Sequence, residues 1–153
     1  MDATVFVPKK IDLTITGITL LSIEEYEATK DNIPLVKDWW WLRSPGRHST
    51  YAANVTFYGS VSLSGSNVVL ENYGVRPALQ ISNLKSFDLK NGDKISLANR
   101  MWTVISDDLA LSNEFIGMNC FRKNHNTPDA NDYHHSDVKK YIEKWAKRNG
   151  IIE

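Results

Sequence analysis

The chain reads as a single α+β domain over residues 1–153, an antiparallel β meander carrying two helices. Three observations predict this class. Ile11, Leu13 and Ile15 alternate with Asp12, Thr14 and Thr16, the period-2 signature of a half-buried strand. Between Trp39 and Gly74 the chemistry changes to aromatic, β-branched, Gly and Ser residues, in short runs broken by turn formers. Near the end Val138, Tyr141, Ile142 and Trp145 fall at i, i+3, i+4 and i+7, one apolar stripe of a helix. At 153 residues, with 42% apolar and 24% charged residues, the chain can bury a core without metal or disulfide support.

The elements follow in order. After the strand at 11–16, Ser22-x-x-Glu25 forms a capping box that opens a helix over Ile23 to Lys30, and Pro34 closes the segment. Val55, Phe57 and the Tyr58-Gly59 step predict one strand, and Val61 with Leu63 another. Gly65-Ser66-Asn67 then reads as a turn before a third strand at Val68 to Leu70. Asn72-Tyr73-Gly74 is a turn into a strand over Val75 to Ile81. Asn91-Gly92 predicts a type I′ hairpin between Phe87–Leu89 and Ile95–Leu97. Met101 to Ile105 is a strand that pairs with Leu109 to Leu111 across Asp107-Asp108. Residues 119–135, rich in Asn, Asp and His, read as a long loop, and a loop of that length in a compact domain points to function or mobility. Ser136 caps the last helix and Gly150 stops it.

Composition restricts the function classes. A formal net charge of zero supplies no global attraction to nucleic acid or anionic lipid. The lone Cys120 forms no intrachain disulfide, which suits a reducing compartment. The opening residues lack a basic stretch followed by an apolar one, and the most apolar run, Ile15 to Ile23, is interrupted by polar residues. A cytoplasmic location without membrane attachment is the expectation.

Two boxes, Trp40-Trp41-Leu42-Arg43-Ser44-Pro45-Gly46 and Gly74-Val75-Arg76-Pro77-Ala78-Leu79, carry a resemblance. Together they resemble a family of bacterial and phage domains distantly similar to the C-type-lectin-like fold of formylglycine-generating enzymes and phage receptor-binding proteins. Trp102-Thr103-Val104-Ile105 and Tyr133-x-x-Ser136 before the last helix also look like that family. Its two halves stand here in reversed order: a front half, 1–84, with both boxes, and a back half, 85–153. The resemblance therefore implies a C-type-lectin-like core that is circularly permuted, or a homodimer formed by domain swapping. It supplies no activity.

Read as chemistry, Arg43 and Arg76 sit beside Pro and Gly, where a guanidinium donates to several loop carbonyls at once. With Trp40, Trp41, Trp102 and Trp145 they are expected to be structural; a direct ligand role for either arginine is the alternative. Cys120, His125, His134, His135 and neighbouring carboxylates offer metal-ligand atoms without the spacing of a metal motif, so no metal and no cofactor is expected. Cys120 lacks the surroundings of a nucleophile, Glu24-Glu25 is no acid–base pair, and phosphate-binding glycine motifs are absent from the sequence. An enzyme is not expected.

The loop residues Arg47, His48, Tyr51, Arg122, Lys123, His125, His134 and His135 are the candidate contacts of a binding surface. Arg43, Arg47, His48, Tyr51 and Tyr58 could also form a basic-aromatic surface, but a neutral molecule does not favour a nucleic-acid partner. The expected function is a non-enzymatic intracellular module, of bacterial or phage origin, that binds a protein, in the sharper version as an inhibitor of a host defence protein such as a CRISPR effector. The alternative is a virion or surface component that recognises a receptor or carbohydrate.

Overall fold

The computed structural model describes residues 5–153, apart from the side chain of Lys10. The absence of a leader pattern was read in part from residues 1–4, which lie outside the described residues. The chain is α+β, and the described residues form eleven strands, two α-helices and four short 3₁₀ turns. The strands are β1 (Val5–Phe6), β2 (Ile15–Thr19), β3 (Trp40–Pro45), β4 (Tyr51–Val55), β5 (Val61–Asn67), β6 (Gly74–Val75), β7 (Ala78–Ile81), β8 (Lys94–Leu97), β9 (Arg100–Val104), β10 (Leu109–Ser112) and β11 (Gly117–Met118). The helices are α1 (Ile23–Thr29) and α2 (Asp137–Arg148). Among the described residues no helix is long and apolar enough to cross a membrane.

Two sheets form. One has six strands in the order β1-β8-β9-β10-β7-β2, antiparallel except where β1 meets β8; the other has five, β11-β6-β3-β4-β5, antiparallel except where β3 meets β6. The front and back halves meet within this one chain, since β7 pairs with β10 through Leu79↔Ala110 and Ala78↔Leu111.

Alternation along β3 explains the adjacent tryptophans. Trp41 packs with Val75, Phe121, Val138 and Ile142 under α2, whereas Trp40 and Leu42 pack with Tyr26, Ala53, Val55 and Leu111 on the opposite face. The strand is therefore covered on both sides, so it shows no polar face and was not recognisable as a strand from its pattern. A third cluster joins Leu79, Ile81, Ile95 and Trp102 to Trp145 of α2. One amphipathic helix thus seals two clusters: Val138 and Ile142 serve one, Trp145 and Ala146 the other. Truncating a ring such as Trp41 or Trp102 would cost ~3–5 kcal/mol.

The helix starts follow the sequence. Ser22 Oγ accepts from the Glu25 N–H at 3.0 Å, and Glu25 Oε1 accepts from the Ser22 N–H at 2.9 Å. Ser136 Oγ accepts from the Lys139 N–H at 3.1 Å.

Several strand expectations are corrected. Residues 10–12 form a 3₁₀ turn with Ile11 exposed, and the strand occupies Ile15–Thr19 instead. Phe57-Tyr58-Gly59 is a turn beyond β4 rather than part of it, with Gly59 at φ +84°. Gly65 lies inside β5, at a bulge where φ is +83° and a Cβ would stand 2.3 Å from the Ala52 carbonyl oxygen. Val68 to Leu70 is a turn, and Val68 is buried there under the loop that follows β11.

The expected strand over 75–81 is two strands in different sheets. Pro77 offers no N–H to continue a ladder, so the chain crosses from β6 to β7 at Arg76-Pro77. Asn91-Gly92 does not close a hairpin; the expected upstream arm, Phe87–Leu89, is no strand, because Phe87 ends the 3₁₀ turn Leu84–Phe87 and Asp88 turns left-handed at φ +55°. The I′-like corner is Ala98-Asn99, both at φ +56°, between β8 and β9.

Candidate functional site

The β3–β4 connection is tied from three directions. The Gly46 N–H donates to Tyr51 O at 2.8 Å, the Arg47 N–H to Ser64 O at 3.0 Å, and the Tyr51 N–H to His48 O at 2.9 Å. A side chain at position 46 would stand 2.3 Å from Ser64 O, so only glycine fits this approach. The His48 and Tyr51 rings meet edge-on at 5.4 Å, and Arg47 and His48 are exposed.

The 119–135 loop arrives beside this corner. It is pinned where Trp41 Nε1 donates to Asn119 O at 2.9 Å, where the Arg122 N–H donates to Val68 O at 3.0 Å, and where Phe121 and Ala130 are buried. Asn131 Nδ2 then donates to His48 O at 3.0 Å and to Tyr51 O at 3.1 Å, joining segments 80 residues apart. Between the two segments lies an open groove of about 440 Å³, lined by Arg43, Ser44, Pro45, Asn131, Asp132, Tyr133 and His134.

The structure therefore brings Arg47, His48 and Tyr51 together with the 129–135 end of the loop. Arg122 is mostly buried and faces Asp129, with Nη2 3.6 Å from Oδ1. Lys123 is exposed, and its N–H donates to Asp137 Oδ2 at 2.7 Å. His134 and His135 are exposed, whereas His125 is half-buried. Tyr58, grouped with Tyr51 on sequence, lies beyond the opposite end of β4, stacked edge-on with Phe57 at 5.4 Å. Tyr58 is not among the residues that line the groove.

Asp129, Asp132 and His135 offer three ligand atoms within 4.8 Å of one another, the set that could hold a cation. Those atoms are already engaged. His135 Nδ1 lies 2.7 Å from Asp132 Oδ2 and 3.5 Å from Asp129 Oδ2, and Arg122 approaches Asp129. The hydrogen bond from His135, with that from the His134 N–H, holds the Asp132 carboxyl below its ordinary value. Cys120 is buried, and burial together with the charges of Asp137 and Glu71 pushes its thiol up, away from the thiolate.

Sequence reasoning missed Asn131, Asp129 and Asp132 as organisers of the loop. Their signal was present in the density of Asx residues, which satisfy backbone groups through their side chains.

A family model described as "Domain of unknown function (DUF6273)" matches residues 17–83, less than half of the chain. The matched span runs from β2 to β7 and contains both arginine boxes. No curated protein and no solved structure matches the chain.

Proposed function

We propose that this chain is a non-enzymatic protein-recognition domain that engages its partner through the face built by residues 45–51 and 129–135. The observation that carries the reading is the double hydrogen bond from Asn131, which holds an irregular loop and a β-turn in one fixed surface. A preformed surface loses little conformational entropy on docking. Arg47, His48, His134 and His135 present charge and ring area outward, and the groove beside them is wide and open, as protein contacts are. The reading extends to a C-type-lectin-like core in permuted order. Irregular loops standing on a small sheet favour it, and the pairing of β7 with β10 inside one chain favours permutation over swapping.

The role follows as an intracellular binding module of bacterial or phage origin, acting on a host protein, with a defence protein as the sharpest version. Pull-down from host lysate with the full chain tests it. The wild type should recover one host protein stoichiometrically, and Arg47→Glu/His134→Glu should lose it. Recovery of nothing, or of the same protein by both, overturns the reading. Detection of the chain in purified virions would instead support receptor or carbohydrate recognition.

A further inference from the structure

Away from that face, a second site forms around Arg76. The side chain is 1% exposed, and all its acceptors are neutral carbonyls: Nε donates to Ser112 O at 2.7 Å, and Nη2 to Pro34 O at 2.8 Å and Asn113 O at 3.0 Å. No carboxylate among the described residues pairs with it, and Nη1 has no acceptor among them. The guanidinium carbon lies 5.0 Å from the centroid of the Trp40 ring. Trp40 is also 1% exposed, and its Nε1 likewise lacks an acceptor among the described residues. The contrast with Trp41 and Trp102 is informative, because their Nε1 groups donate to Asn119 O at 2.9 Å and Leu97 O at 3.0 Å.

Arg76 and Trp40 line one cavity of about 240 Å³, walled by Ile33, Leu35 and Val55, with Lys30 and Asp31 also among its lining residues. Neither Arg76 Nη1 nor Trp40 Nε1 is among the fully buried polar atoms that lack a partner, so both keep contact with the cavity, where a cation without a counter-ion and an indole N–H without an acceptor are free to donate to a ligand. Burial pulls the Arg76 guanidinium down to about 10, the direction expected of a cation lacking an acidic neighbour.

We propose that this cavity binds a carboxylate carried on a short apolar stem, with Arg76 Nη1 and Trp40 Nε1 as its donors. A planar, two-oxygen monoanion matches two donors, whereas a tetrahedral phosphate would leave oxygens facing Ile33, Leu35 and Val55. The carboxylate comes from a free small acid or from a peptide C-terminus. The inference stands independently of the recognition face.

The test uses the full chain labelled with ¹⁵N, with the Trp40 indole resonance assigned through Trp40→Phe. Butyrate and a short peptide ending in a free leucine carboxylate are titrated separately, with butyramide and the C-terminally amidated peptide as neutral controls. A saturable shift of the Trp40 indole with either acid, and none with its amide, supports the site and identifies the source. Leu35→Trp tests location without touching the core, since Leu35 is 59% exposed. It should abolish the shift by narrowing the cavity. Non-saturable shifts with both acids, equal shifts with the amides, or an undiminished shift in Leu35→Trp overturns the proposal.

Discussion

Arg43 and Arg76 occupy similar places in the sequence, each close before a proline, and each ties irregular backbone to a sheet. They differ in what balances the charge. Arg43 donates to Leu20 O at 2.7 Å and pairs with Glu25, their side chains 32% and 29% exposed. Arg76, at the crossing between the two sheets, is sealed in and meets only carbonyls and the Trp40 face. A half-wet pair gains little from Coulomb attraction because water screens it, so its contribution is mainly geometric. A sealed cation holds its surroundings strongly and keeps an unmet demand for negative charge. The first arginine is a finished contact; the second has capacity to spare.

That difference predicts very unequal mutational effects. Arg76→Met leaves the carbonyls of Pro34, Ser112 and Asn113 without their donor and should cost ~3–5 kcal/mol by urea unfolding. A loss below about 1 kcal/mol would mean that these carbonyls find water, and the strut would be illusory. Ser22→Ala comes next. It removes the cap that orients Glu25 toward Arg43 and should cost about 1 kcal/mol. In a double-mutant cycle, Arg43→Met with Glu25→Gln should show a coupling of only ~0.5–1 kcal/mol, discounted for solvent screening. Coupling as large as the Arg76→Met loss would erase the distinction between the two arginines.

The same contrast marks what was legible in the sequence. The surroundings of Arg43 are local: the Ser22–Glu25 box and the start of α1 follow from rules spanning four residues, and both were readable. So were α2, from its stripe and Ser136, and the pairing of 101–105 with 109–111. The surroundings of Arg76 are global. Val75-Arg76-Pro77-Ala78-Leu79 reads as one strand, because nothing local says that Val75 and Ala78 belong to different sheets. β3 was hidden because both its faces are buried, which removes the alternation that identifies a strand. The β8–β9 corner was hidden because Ala98-Asn99 adopts a glycine-like conformation, while Asn91-Gly92 nearby advertised a turn that closes no hairpin. For the proposed recognition face, the residue types at 47, 48, 51 and 122–135 were readable. Their meeting through Asn131 was not, since it spans 80 residues.

The smallest expected effect separates the arginines by pH. Burial raises the Glu25 carboxyl, but hydrogen bonds from Arg43 and the Ser22 N–H, with the charge of Arg43, outweigh it and leave the group below 4.5. Between that lowered value and 4.5 the unfolded chain binds more protons than the folded one, so stability falls as pH falls through this window. The contribution of Glu25 is complete above the window and lost below it. Glu25→Gln should therefore flatten the acid limb of a stability–pH curve by a few tenths of a kcal/mol, read by urea unfolding from neutral pH to about pH 3. Arg43→Met should flatten it to a similar extent, because the lowering comes largely from that guanidinium. Asp31 lines the Arg76 cavity but makes no ion pair with that guanidinium, whose acceptors are carbonyls, so Leu35→Trp at the mouth of the cavity should leave the acid limb unchanged. An acid limb altered as much by Leu35→Trp as by Glu25→Gln would show that a carboxylate does serve Arg76, and the spare capacity inferred there would vanish.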